Sequence, residues 1–261
     1  MKSLSDYLYY HEDNPSIDLY CGDCLEILPC IEKESIDLVV TSPPYNVNKE
    51  YENWNNDEEY ERFIDLCIGE LPRILKPAGH VAWNILGSIT AKGRIYSPLL
   101  PSWNSLEKCL KFRDFIIWNQ LNSENDTAWG SWASASAPHF RHQCELILVY
   151  FKESWKKGKG KSDIPPQKFP EWTRDIWNIA VARREWRHPT PFPIKLAERI
   201  ITLLTFINDS VLDPLVGSGT TLLSCKLLNR KGIGIEINKK YCDMTVQRLK
   251  NMTLSLFNRN V

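Results

Sequence analysis

The sequence lacks an excess of either charge: Lys plus Arg and Asp plus Glu both count 32 in 261 residues. Proteins that bind nucleic acid are commonly basic, so any such surface here has to be a local patch. It also lacks an apolar run long enough to cross a bilayer. The first residues, Met1-Lys2-Ser3-Leu4-Ser5-Asp6, carry no apolar secretion segment, and the expected location is the cytoplasm. No internal repeat is visible. Cys21-Gly22-Asp23-Cys24 is not joined by a second cysteine pair or by histidines at zinc spacing. The eight cysteines therefore read as small buried hydrophobes, and no metal is expected. What is present is an ordinary globular composition, 43% hydrophobic and 25% charged, with length enough for a large core.

Apolar runs alternate with helical periodicity. Residues 17–21, 36–40, 80–86, 112–118, 144–151, 210–212 and 232–236 read as strands. Residues 24–31, 58–75, 194–205, 220–228 and 239–252 read as helices. Residues 1–16 read as a polar arm. Pro98 and Pro101 are expected to break any long element over 87–110. Residues 119–141 are too long for a plain connection, which points to a functional loop. Residues 152–168 contain Lys156, Lys157, Lys159 and Lys161 and read as a flexible basic segment. This alternation predicts an α/β fold on a parallel sheet.

Two stretches carry chemistry. The run 36–40 is near-continuously apolar, as in a strand buried on both faces, and it ends in Thr41-Ser42-Pro43-Pro44-Tyr45. Neither proline donates a backbone hydrogen bond, and both have a fixed φ. The loop is therefore stiff and presents carbonyl oxygens, a hydroxyl and a ring. Such a set suits a planar group bearing an amine; the plainer reading is a proline-capped strand end with a packed tyrosine. The second stretch is Asp213-Pro214-Leu215-Val216-Gly217-Ser218-Gly219-Thr220-Thr221, between a strand and a helix, where a nucleotide-binding turn belongs. Gly217 and Gly219 let a ligand approach the backbone. Glu236 ends the next strand 19 residues after Gly217, which suits a ribose diol. The third glycine of a dinucleotide fingerprint is replaced by Leu222. No Gly-Lys-Ser/Thr follows, so a triphosphate P-loop is not expected.

Together the two motifs resemble those of the S-adenosylmethionine-dependent DNA amino-methyltransferases. That family pairs an (S/D/N)-P-P-(Y/F) catalytic loop with a D-P-F-x-G-x-G-T cofactor loop; Leu215 stands in the usual Phe place. The catalytic loop comes first, as in the circularly permuted β arrangement. Further likeness lies in Gly22-Asp23, in Leu75-Lys76-Pro77-Ala78-Gly79 and in His188-Pro189-Thr190-Pro191-Phe192-Pro193. The resemblance implies a Rossmann-like methyltransferase fold, with a mostly parallel sheet covered by helices on both faces. Residues 1–151 would form a catalytic half and 188–261 a cofactor half of one sheet. Residues 152–187 would be a DNA-recognition insert, helped by loops 87–110 and 119–141.

The resemblance further implies catalysis by Ser42, Pro43, Pro44 and Tyr45, with S-adenosyl-L-methionine as cofactor. Its contacts would be Asp23, Thr41, Pro191, Phe192, Asp213, Pro214, Gly217, Ser218, Gly219, Thr220, Thr221 and Glu236. Ser42 Oγ and the Pro43 carbonyl would accept from the target amine, and Tyr45 would stack on a base flipped from double-stranded DNA. Candidate phosphate contacts are Lys156, Lys157, Lys159, Lys161, Arg183, Arg184 and Arg187; for any single lysine a solvated face is the plainer reading. His139, Arg141 and His142 either contact bases or cap the following strand. Serine at position 42 resembles the N4-cytosine branch, with N6-adenine as the alternative. RNA or protein-amide methylation and a non-catalytic DNA-binding module also stay open, as do a cognate restriction endonuclease and a monomer or homodimer. Cys30, after Pro29, precedes the catalytic loop and reads as structural.

Overall fold

An antiparallel hairpin opens the computed structural model, which describes residues 3–46, 54, 56–91, 94–121, 131–138, 140, 142–181 and 192–257. Strands β1 (Leu8–Asp13) and β2 (Ser16–Cys21) pair around Asn14-Pro15. Part of the expected polar arm, Leu8–Asp13, is therefore a strand. As the outermost strand it buries little, and it packs on a core through Tyr9 and Tyr10, so its composition stays polar.

The chain continues through α1 (Cys24–Ile27), β3 (Ile36–Thr41), α2 (Asp57–Gly69), α3 (Leu71–Ile74) and β4 (Leu75–Ile85). A small hairpin of β5 (Ile89–Ala91) and β6 (Arg94–Tyr96) leads to α4 (Leu99–Cys109), β7 (Lys111–Asn119) and β8 (Cys144–Phe151). Then come α5 (Phe169–Trp172), β9 (Ile176–Asn178), α6 (Ile194–Leu204), β10 (Ser210–Asp213), α7 (Thr220–Leu227), β11 (Lys231–Glu236) and α8 (Lys239–Phe257). Among the described residues no helix is long and apolar enough to cross a membrane.

Two proline expectations change. Pro98 caps α4 and Pro101 lies in its first turn, where backbone N–H groups have no intrahelical acceptor to lose. The helix expected over 58–75 is split: Pro72 lies in the first turn of α3, and Leu75 already pairs with Ile36 in the sheet.

Among the described residues, the main sheet has nine strands in the order β1-β2-β11-β10-β3-β4-β8-β7-β9. The segment from β2 to β4 is parallel, and β8 runs against both β4 and β7. All six residues of β3 are buried. Ile36 and Val39 join the core under α1 to α4, whereas Leu38 and Val40 join the core under α6 to α8. That double burial explains the unbroken apolar run. From the adjacent pair β10 and β3 the chain winds outward in both directions. Their carboxyl ends flank the crevice that such a switch point creates.

The segment 152–168 is tied down rather than flexible, along the amino edge of the sheet. Lys157 Nζ pairs with Asp209 at 2.8 Å and with Asp37 at 3.6 Å. The Lys161 carbonyl accepts from Ile207 N at 3.0 Å. Asp163 binds the fully buried Arg230 through Nη1 and Nη2, at 2.5 and 2.6 Å. Gly160 lies so close to Phe206 that a Cβ there would come within 2.3 Å of its ring.

Candidate active site

The carboxyl ends of β2, β11, β10, β3 and β4 stand in a row, about 4.8 Å apart. Past β2, Asp23 caps α1 and accepts from Leu25 N at 2.9 Å. Gly22 N donates to the Glu236 carbonyl at 2.9 Å, which ties that turn to the end of β11. The Glu236 carboxylate accepts from Gly217 N at 2.9 Å and from Asn238 N at 2.8 Å. Burial pushes its carboxyl up to about 7, against the pull of those two N–H groups.

Asp213 ends β10 and is buried. It accepts from Thr41 Oγ1 at 2.8 Å, Thr221 Oγ1 at 2.6 Å and Leu215 N at 3.1 Å. Burial raises its carboxyl to about 6, and these donors oppose the rise. Asp213 thus joins both sequence motifs. Gly217 and Gly219 adopt φ of 54° and 83°, values glycine tolerates best. At Gly219 a Cβ would also lie 2.4 Å from Thr245 Cγ2.

Three of the expected cofactor contacts also bond within the protein. Arg248 of α8 donates from Nη1 to the Ser218 carbonyl, to Ser218 Oγ at 3.1 Å and to Thr220 Oγ1 at 3.3 Å. Thr221 is held by Asp213. These side chains satisfy the protein's own polar groups and shape the loop. Pro214 is buried, Phe192 lies edge-on to Trp118 at 6.2 Å, and Pro191 is outside the described residues. The missing third glycine is compensated from the other side. Gly232 and Gly234 of β11 face Leu222, and a Cβ on Gly234 would come 2.8 Å from Leu222 Cδ1. The close helix–strand contact is kept, with the glycines on the strand.

At the end of β3, the Ser42 and Tyr45 hydroxyls lie 2.9 Å apart. Tyr45 Oη donates to Glu145 Oε2 at 2.7 Å. Asn84 Nδ2 lies 3.3 Å from Ser42 Oγ, 3.1 Å from Tyr45 Oη and 2.5 Å from Glu145 Oε2. Gln120 Nε2 donates to Glu145 Oε1 at 2.8 Å. Behind them Tyr60 Oη holds the Pro44 carbonyl at 2.9 Å, which fixes the loop on α2. Burial, then the nearby Glu145 charge, raises the Tyr45 hydroxyl well above its ordinary value. Sequence reading missed Asn84, Glu145, Gln120 and Tyr60. The available signal was polarity out of place: Asn84 and Glu145 each interrupt an apolar strand.

The four lysines lie away from the strand ends that carry the two motifs. Lys157 is committed to Asp209 and Asp37, and Lys156 lies over the Trp155 ring at 5.3 Å. Lys159 and Lys161 lie on the same segment, at the amino edge. Ser42 is five residues along β3 from Asp37, about 16 Å away at the usual strand rise. Arg183, Arg184, Arg187, His139 and Arg141 lie outside the described residues. His142 Nε2 is 3.4 Å from Ser88 Oγ, between the β5–β6 hairpin and β8. At the carboxyl edge, Trp132 and Phe140 are 83% and 81% exposed. Cys30 Sγ bonds the Glu26 carbonyl within its helical turn, as a structural thiol does.

The row fits an extended ligand: carboxylates at Asp23 and Glu236 for amine and diol donors, a glycine turn at β10, and hydroxyl acceptors at β3. Known proteins place the chain. A family model described as DNA methylase matches residues 36–247. The Type II methyltransferase M.BglII of Bacillus subtilis is 32% identical over 88% of this chain and 68% of its own length. M.MjaVI of Methanocaldococcus jannaschii is 40% identical over 57% of this chain and 79% of its own. A DNA modification methylase of Thermus thermophilus, TTHA0409, solved with S-adenosyl-L-methionine, superposes with a TM-score of 0.70 at 28% identity, covering 89% and 93% of the two chains.

Proposed function

The chain belongs to the N6/N4 DNA methylase family, and from that premise we propose that it methylates the exocyclic N4 of a cytosine flipped out of duplex DNA. S-adenosyl-L-methionine is its cofactor, and its relatives are Type II methyltransferases. The observation that carries the reading is the shared Asp213 carboxylate, which joins Thr41 before Ser42-Pro43-Pro44-Tyr45 to the glycine turn. It sets the acceptor loop beside the cofactor loop.

Bound S-adenosylmethionine supplies an electrophilic methyl group on a sulfonium. Asp23 and Glu236 would hold its adenine and ribose, and the Gly217–Gly219 turn its methionine end. An aromatic amine is a weak nucleophile because its lone pair is delocalised into the ring. Ser42 Oγ and the Pro43 carbonyl would accept its two hydrogens and aim the lone pair at the methyl group. Tyr45 would stack on the base, worth about 1–3 kcal/mol. Alignment of two held reactants is worth roughly 7–11 kcal/mol. DNA would meet the carboxyl edge, where Trp132, Phe140 and the β5–β6 hairpin lie. Neutral Ser42, rather than an acid, favours cytosine.

The test is to incubate duplex DNA with the protein and labelled cofactor, digest it and identify the modified nucleoside. N4-methylcytosine is expected. N6-methyladenine would move the assignment to the other amine, and label only in RNA or protein would overturn the DNA reading. Cofactor retention without any transfer would identify a binding module.

A further inference from the structure

The hydrogen bonds around Ser42 have one consistent direction. Glu145 draws donors from three sides: Tyr45 Oη and Asn84 Nδ2 on Oε2, and Gln120 Nε2 on Oε1. An ionised carboxylate accepts all of them, and charge-assisted bonds of this kind are about twice as strong as neutral ones. The Asn84 amide obeys the same charge. Its Oδ1 is buried without a partner among the described residues, while its Nδ2 faces Glu145. The reverse orientation would set Oδ1 against the carboxylate.

With its proton on Glu145, Tyr45 has none left for Ser42. Ser42 must therefore donate to Tyr45 across their 2.9 Å contact. That leaves the Ser42 oxygen as an acceptor toward the crevice, with Asn84 Nδ2 as its other neighbour at 3.3 Å. The result is a directed chain, Ser42 to Tyr45 to Glu145.

We infer that this chain is a proton relay and that Glu145 of β8 is the base that receives the proton released on methyl transfer. The inference rests on the amine-methylation reading. The nitrogen lone pair forms the new N–C bond as the C–S bond breaks and its electron pair stays on sulfur. The nitrogen then carries one proton too many. That proton passes to Ser42 Oγ, the Ser42 proton passes to Tyr45 Oη, and the Tyr45 proton passes to Glu145 Oε2. Glu145 ends as a neutral acid, and being half-buried it returns the proton to solvent. Tyr45 never becomes a free phenolate, so its burial is no obstacle. Among the contacts described, the titratable group facing Glu145 from the β3 loop is Tyr45, with Tyr60 of α2 behind it; Asn84 of β4 and Gln120, just past β7, contribute amides.

The test compares wild type, Tyr45→Phe, Glu145→Gln and the double variant in single-turnover transfer to DNA, in H2O and D2O. Each single variant is expected to slow transfer about 10²-fold or more, within the usual range for acid–base catalysis. The double variant should be no slower than the worse single one, and the solvent isotope effect should shrink in all three. A second readout needs no turnover: in the free protein the Tyr45 hydroxyl proton should resonate downfield by NMR and shift upfield in Glu145→Gln. Wild-type rates in Tyr45→Phe, with wild-type active, would overturn the relay alone. No transfer to DNA by wild type would overturn the relay together with the reading beneath it.

Discussion

Thr41 and Asp213, 172 residues apart in the chain, are joined by a 2.8 Å hydrogen bond at the adjacent ends of β3 and β10. The Asp213 carboxylate also holds Thr221 and Leu215 N, so one buried acid keeps the acceptor loop and the cofactor turn in register. Thr41→Val removes one donor and leaves the acid otherwise intact. Stability should fall by about 1–3 kcal/mol, read by urea unfolding with an unchanged slope. Cofactor affinity should fall as well. Unchanged values of both would show that the loops hold their places independently.

With Glu236 on the ribose diol, as proposed, cofactor binding should depend on pH. Its carboxyl stands at about 7 in the folded protein, against about 4.3 in an unfolded chain. Diol hydroxyls donate to the ionised form. Affinity for S-adenosylmethionine should therefore rise as pH increases through about 7 and level off above it, and Glu236→Gln should flatten the profile at low affinity. Calorimetry from pH 6 to pH 8.5 checks this.

The same group has a stability signature of opposite sense. The folded state holds this proton more tightly than the unfolded chain does. Its contribution is fully present below about pH 4 and is lost as pH rises through about 7. In the absence of cofactor, Glu236→Gln should melt above wild type at pH 8 and lose that advantage toward pH 5. A constant difference in melting temperature across that range would refute the assignment.

Gly234 and Leu222 form a packing pair that a double mutant can separate. Gly234→Ala places a Cβ 2.8 Å from Leu222 Cδ1, and overpacking of this kind costs about 1–3 kcal/mol. Leu222→Ala opens space there. The double variant should be more stable than the sum of the two single losses predicts. Strict additivity in denaturant unfolding would rule out the compensation.

The lysines at the amino edge should not read as DNA contacts. Replacing Lys156, Lys159 and Lys161 together by alanine should leave DNA affinity and its salt dependence unchanged. Each lost phosphate contact would lower the salt slope by about 0.9. Lys157→Met should instead destabilise the fold by about 1.5–3 kcal/mol, because Asp209 and Asp37 lose their shared cation. A shallower salt slope in the triple variant would restore the lysines to the interface.

Features that act over a few residues can be read from the amino-acid order alone. The buried run into Ser42-Pro43-Pro44-Tyr45, the glycine turn after Asp213, the strand-end carboxylate at Glu236 and the order of the two motifs were legible, because periodicity, fixed proline φ and glycine's left-handed freedom are local. How the polar groups are shared out depends on the packed fold. Asn84 and Glu145 stand 61 residues apart and meet because β4 and β8 are neighbours in the sheet. Ser218 and Thr220 meet Arg248, and Thr221 meets Asp213, across distances that no local pattern encodes. The path of the chain carries Lys157 and Lys161 to the amino edge of the sheet. Which end of a strand a segment reaches, and which distant side chain meets a hydroxyl there, follows from strand order and direction, and no short-range pattern encodes either.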